Sequence, residues 1–134
     1  QNNPQYKDVR FDVLDWLVEA RDRAIGAGIA PERIILDPGI GFGKTLEHNL
    51  ALLKALPFLH AAGCAILIGA SRKRFIGTLS QVAQAEARLA GSLTVALHAA
   101  AQGGQILRVH DVGQTRQALA LWQALGERHE DGQA

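Results

Sequence analysis

Three short stretches of this chain hold residue types suited to gripping a small charged molecule. They are Asp37-Pro-Gly-Ile-Gly-Phe-Gly-Lys-Thr45, Gly69-Ala-Ser-Arg-Lys-Arg74 and Arg108-Val-His-Asp-Val112. The first looks like a phosphate loop but is not one. That loop needs four residues between its first glycine and Gly-Lys, whereas Gly39 and Gly43 enclose three, and Pro38 stands where the first glycine belongs. Its glycines still let the backbone pass close to a ligand or turn with positive φ. Asp37 offers a carboxylate to hydrogen-bonding edges; the plainer alternative is that it caps a turn. Lys44 is expected to point to solvent. In the second stretch, Arg74 is expected to be an ordinary solvated charge and Lys73 to face a ligand. Ser71 lacks a nucleophile elbow and an evident base, so a nucleophilic role is not expected. In the third stretch Arg108 and His110, two residues apart on a strand, project to one side. Just ahead of a helix N-terminus they make an anion or phosphate clamp.

The elements that must position these residues follow from periodicity. Val9–Ala27 carries apolar side chains at Val9, Val13, Trp16, Leu17, Ala20 and Ala24, the pattern of an amphipathic helix closed by Gly26 and Gly28. Ile34–Asp37 reads as a buried strand. A helix follows from Leu46, with Thr45 as N-cap, Leu46, Leu50, Leu53 and Leu56 inward, and Pro57 opening a last short turn. Ala65–Ala70 is the second strand, Ala85–Gln102 a helix with Leu89, Leu93, Ala96 and Ala100 on one face, and Ile106–Val109 the third strand. The last helix, Gln114–Gly126, is expected to bury Ala118, Leu119, Trp122 and Leu125, and the polar tail 127–134 to fray.

Continuous apolar strands between helices predict a parallel sheet covered on both faces. Each strand ends in polar residues: Asp37, then Ser71, Arg72 and Lys73, then Arg108, His110 and Asp111. In parallel α/β folds strand C-termini converge on one ligand crevice. A full (β/α)₈ barrel takes roughly 250 residues, so 134 residues with three strands predict a portion of one. A free-standing three-stranded sandwich is the alternative, at the cost of exposed edges.

Composition narrows the function. Apolar residues make up 48% and charged residues 20%, with a formal charge of +1 and no basic run longer than Arg72–Lys73–Arg74. That argues against an extended nucleic-acid footprint, and no apolar stretch is long enough for a membrane span. One cysteine, Cys64, allows no internal disulfide and suits a reducing, cytoplasmic setting. His48, His60, His98 and His129 are expected on helices or the tail as ordinary surface or packing residues. No His/Cys cluster has zinc spacing. The chain opens on Gln1 and contains no methionine, as expected of a fragment, a processed product or a partly represented protein.

The three blocks in this order resemble dihydropteroate synthase over residues 1–126, and Gln1-Asn-Asn-Pro and Arg88-Leu-Ala-Gly-Ser92 fit the same family. The resemblance implies the C-terminal part of a single pterin-binding (β/α)₈ barrel domain, residues 1–134. It implies condensation of 6-hydroxymethyl-7,8-dihydropterin pyrophosphate with p-aminobenzoate, giving dihydropteroate and pyrophosphate with Mg²⁺ assistance. Asp37, Gly69, Lys73 and Arg108 would then contact the pterin; Phe42, Ser71 and Lys73 would line the p-aminobenzoate site; Arg108 and His110 would hold the pyrophosphate. Lys73, Arg108 and His110 are the catalytic candidates. No metal ligand is expected from this chain, the Mg²⁺ ligand coming from an N-terminal half. A homodimer is implied, while this chain alone is expected to be inactive. A pterin-dependent methyltransferase domain, or a non-catalytic fragment that binds pterin or anions, are the competing readings.

Overall fold

The computed structural model describes residues 5–126; the expectations for Gln1–Pro4, His129 and the 127–134 tail lie outside them. Helix α1 spans Val9–Gly26, capped by the Asp8 carboxylate, which accepts from the Arg10 amide at 3.0 Å. Its buried stripe is Val9, Val13 and Leu17. Trp16, expected inward, is 56% exposed on the shoulder of that stripe. Strand β1 (Ile35–Leu36) leads through the glycine loop to α2 (Leu46–Lys54) and to α3 (Leu56–Leu59), with Pro57 in its first turn. Thr45 caps α2 as expected: its hydroxyl accepts from the His48 amide at 3.2 Å, and the His48 ring accepts from the Thr45 amide at 3.0 Å. His48 is thereby half of a capping box, a place usually taken by Glu or Gln.

Strand β2 (Ala65–Ile68) is followed by a helix that the apolar spacing did not announce, α4 (Arg74–Ser80). Helix α5 (Leu89–Ala101) is shorter than expected because residues 85–87 form a 3₁₀ turn. Its fully buried residues are Ser92, Ala96 and Ala99, with Leu89, Leu93 and Ala100 half-buried. Strand β3 (Ile106–Leu107) and α6 (Val112–Gly126) close the described chain.

The sheet is parallel in the order β1-β2-β3, with Ile35 beside Ala65, Leu36 beside Ile66, Leu67 beside Ile106 and Ile68 beside Leu107. Partners aligned in a parallel pair share a face. Leu36, Ile66 and Ile68 are buried against the helices, where Leu17, Leu52, Leu56 and Leu59 complete the core. Each such side chain contributes roughly 1.5–3 kcal/mol. The opposite face is not covered: Ile35 is 51% exposed, and Ala65, Leu67 and Ile106 are half-buried. Three strands form an arc that cannot close its inner face on itself. For the same reason α6 leaves Trp122 36% and Leu125 80% exposed, against expectation, while Ala118 and Leu119 are half-buried.

Candidate functional site

The open face of the arc carries the chemistry. One residue beyond Leu36 lies Asp37; one beyond Ile68 lies Gly69; one beyond Leu107 lies Arg108. The pleat puts all three on the uncovered side. Arg108 lies flat across Gly69 and brings Nη1 to 3.5 Å from Asp37 Oδ2. A Cβ on Gly69 would stand 2.9 Å from Arg108 Cζ and closer still to Nη2. Glycine is there because a guanidinium occupies the space of a side chain. The other Asp37 oxygen accepts from the Gly39 amide at 2.8 Å, so Asp37 both caps its turn and faces the crevice.

Lys73, expected at the end of the second strand, reaches the crevice from the turn after β2, where it immediately precedes α4. Its ammonium donates to the Ile40 carbonyl and sits 4.2 Å from the centre of the Phe42 ring, a cation–π contact. Burial holds Lys73 below the ordinary lysine range; the Asp37 charge opposes this, and Arg108 and Lys44 reinforce it. Lys44, expected in solvent, instead folds back over the loop. Its ammonium donates to the Gly39 carbonyl at 2.8 Å and the Phe42 carbonyl at 3.0 Å, and burial lowers its pKa too. Arg74 is exposed, as expected.

Ser71, 9% exposed, joins β2 to the end of β3. Its hydroxyl accepts from the His110 amide at 3.3 Å and lies 3.0 Å from His110 Nδ1. An imidazole therefore does stand beside Ser71, a partner the sequence did not reveal. The neighbouring Arg72 guanidinium pairs with Asp111 at 3.1 Å. Outside the crevice, His98 hydrogen-bonds the Leu53 carbonyl at 2.7 Å, a packing role.

Two hollows open onto this surface. One, about 370 Å³, is lined by Gly69, Ser71, Lys73, Arg108, Val109 and His110. The other, about 550 Å³, lies between the glycine loop and α4 and includes Phe42, Lys44, Lys73 and Arg74. Lys73 is common to both. Phe42 and Ser71, expected to line one site together, fall on different sides of it. Two further residues had no role assigned from the sequence. Asn49 on α2 is 4% exposed and accepts from the Gly41 amide at 2.8 Å. Arg88 donates to the carbonyls of Arg72, Val82 and Ala83. Among the described residues no three of His, Cys, Asp or Glu stand together as a metal site, and the crevice carboxylates Asp37 and Asp111 are each engaged by an arginine. This donor set does not by itself fit a divalent cation.

Comparison with known proteins points one way. Residues 1–110 match the family described as pterin binding enzyme. Dihydropteroate synthase of Neisseria meningitidis serogroup B is 52% identical over 129 residues, covering 94% of this chain and 45% of the relative. The Escherichia coli enzyme is 46% identical over 124 residues, covering 92% of the chain and 44% of the relative. Xanthomonas albilineans dihydropteroate synthase solved with 7,8-dihydropteroate superposes with a TM-score of 0.92 at 45% identity, over 94% of this chain and 48% of that one. The Thermus thermophilus enzyme solved with 6HMPPP gives 0.88 at 46% identity, over 93% and 50%. The chain thus spans about half the length of the relatives it matches, and its three-stranded arc is a portion of their (β/α)₈ barrel.

Proposed function

Since this chain belongs to the pterin binding enzyme family, we propose that it supplies part of the active site of a dihydropteroate synthase. The enzyme joins 6-hydroxymethyl-7,8-dihydropterin pyrophosphate to p-aminobenzoate, releasing pyrophosphate. The observation that carries the reading is Lys73: one lysine lines both the Arg108/His110 hollow and the Phe42 hollow. A two-substrate condensation needs such a junction, because the reacting atoms of both ligands must meet. Relatives solved with 7,8-dihydropteroate and with 6HMPPP support the choice of ligands.

In this reading Asp37 accepts from the pterin's amino and amide edge while Arg108 packs beside the ring over Gly69. Arg108 and His110, with the start of α6, receive the pyrophosphate. The aryl amine of p-aminobenzoate, beside Phe42 and Lys73, attacks the pterin methylene carbon. A C–N bond forms, the C–O bond breaks with its electron pair passing to pyrophosphate, and the amine releases a proton to solvent. Arg108 and His110 stabilise the charge that grows on the leaving group, and Lys73 orients both ligands. Ser71 is assigned to the His110 side, where its hydroxyl holds the imidazole. With the crevice carboxylates Asp37 and Asp111 each engaged by an arginine, the described residues do not fit Mg²⁺, and its ligands are placed elsewhere in the barrel.

The same proposal makes residues 1–134 the C-terminal part of one barrel domain acting in the cytoplasm, in keeping with the lone Cys64. It also makes the enzyme a homodimer, for which the exposed Leu121, Trp122 and Leu125 of α6 offer apolar surface.

Titration with the dihydropterin pyrophosphate tests the ligand assignment in the longest natural form of this polypeptide. Arg108→Ala should weaken binding roughly ten- to hundredfold, the scale of one charge-assisted hydrogen bond. Lys73→Ala and Arg108→Ala should each cut turnover by about 100-fold or more. Undiminished affinity and turnover in Arg108→Ala would take the pyrophosphate away from this clamp.

A further inference from the structure

Lys73 is gripped from two directions, by Asn49 at the wall of the Phe42 hollow and by Ser92 and Arg88, which line neither hollow. On the acceptor side, its ammonium donates to the Ile40 carbonyl. The next residue, Gly41, has φ +86° and gives its amide to the buried Asn49 carboxamide at 2.8 Å. The Lys73 stem lies against that backbone: a Cβ on Gly41 would stand 2.8 Å from Lys73 Cδ. Asn49 thus fixes the peptide that receives the lysine.

On the other side, the chain enters Lys73 through Arg72, whose φ of +60° lies in the left-handed region. For a residue with a side chain this costs about 1–2 kcal/mol. Such a conformation persists where its surroundings over-determine it, and here they do. The Arg72 amide donates to Ser92 Oγ at 2.8 Å, its carbonyl accepts from Arg88 Nη1 at 2.7 Å, and its guanidinium meets Asp111. Ser92 is 7% exposed, and Arg88 immediately precedes α5.

We propose that Asn49, Ser92 and Arg88 are positioning residues for Lys73. Asn49 holds the carbonyl toward which the side chain reaches, while Ser92 and Arg88 hold the left-handed turn from which it departs. The inference rests on the proposed function only for what Lys73 does to substrates; how Lys73 is held stands apart from turnover. Burial of the ammonium in this grip agrees with its lowered pKa.

Acylation of lysine amines as a function of pH, read residue by residue by mass spectrometry, tests the proposal. Only the neutral amine reacts, so the midpoint for Lys73 reports its surroundings. Asn49→Ala and Ser92→Ala should release Lys73 to water, moving its midpoint up toward the ordinary lysine value and slowing its labelling at pH 8 several-fold. Lys54, exposed at the end of α2, serves as internal reference and should not move. Ser92→Thr, which keeps the hydroxyl, should keep the wild-type curve. Asn49→Leu preserves volume without the acceptor and gives the same reading where alanine leaves the chain unfolded. A wild-type Lys73 midpoint in the folded Asn49 and Ser92 variants would overturn the proposal, whatever the turnover assay shows. In the longest natural polypeptide, loss of turnover with an unmoved midpoint would assign these residues a different role.

Discussion

Arg108 lies where a side chain on residue 69 would otherwise be, and this single substitution of space links two strand ends. Gly69→Ala should push the guanidinium off Asp37 and lower turnover by about 100-fold, the scale of one misplaced charge. Gly26→Ala, where an added Cβ meets nothing within 4 Å, should leave turnover unchanged. Steady-state kinetics on the two variants decides it. The two lysines give a second residue-scale prediction. Both have folded pKa values lowered by burial. Between the lowered value and the ordinary lysine value the unfolded chain binds more protons than the folded one, so stability rises with pH through that window. Melting temperatures measured across the alkaline range should show this rise, and Lys73→Met should flatten it; an identical slope would contradict it. At this scale the sequence was readable in placing Asp37, Lys73, Arg108 and His110 around one crevice. It was less readable for Lys44 and Asn49. Lys44 has backbone carbonyls within reach only because the glycine loop curls under it. Asn49 was hidden because a polar residue does not announce an inward position: Leu53 and Leu56 are buried as expected, but Asn49 and Leu52 take the place expected of Leu50, which is half-buried.

Elements were legible where capping and periodicity coincided. Thr45 before an apolar helix marked the start of α2, and the structure adds His48 as the reciprocal cap. Thr45→Ala should cost about 1 kcal/mol, visible as a fall of a few degrees in melting temperature, with secondary-structure content by circular dichroism otherwise preserved. No change in melting temperature would mean that the capping box is not formed in solution. The three strands and their parallel direction also followed from apolar runs separated by helices. What failed was α4, whose seven residues are too few for a periodic signal and whose start depends on the left-handed Arg72. No propensity predicts a non-glycine left-handed residue, because side chains distant in sequence hold it there. The start of α5 slipped for a related reason: residues 85–87 have helical composition but turn as a 3₁₀ segment before it.

At the scale of the whole molecule, the arc explains both the exposed apolar surface and the open crevice. The strand face bearing Ile35 and the α6 face bearing Leu121 and Leu125 are left largely uncovered by the described chain. A barrel closes such an inner face with further strands, and the relatives are about twice as long. Burial was therefore the property that sequence reading misjudged most. Trp122 and Leu125 have the spacing of a buried stripe, but the surface that would bury them is not in this segment. The charged residues at the strand ends carry the central claim, that this crevice serves the joining of a dihydropterin to p-aminobenzoate. The most direct test is p-aminobenzoate-dependent release of pyrophosphate from 6-hydroxymethyl-7,8-dihydropterin pyrophosphate, using the longest natural form of this polypeptide. Release should need both substrates and Mg²⁺ and should collapse in Arg108→Ala. A complete barrel that binds the dihydropterin pyrophosphate yet releases no pyrophosphate when p-aminobenzoate is added would contradict it.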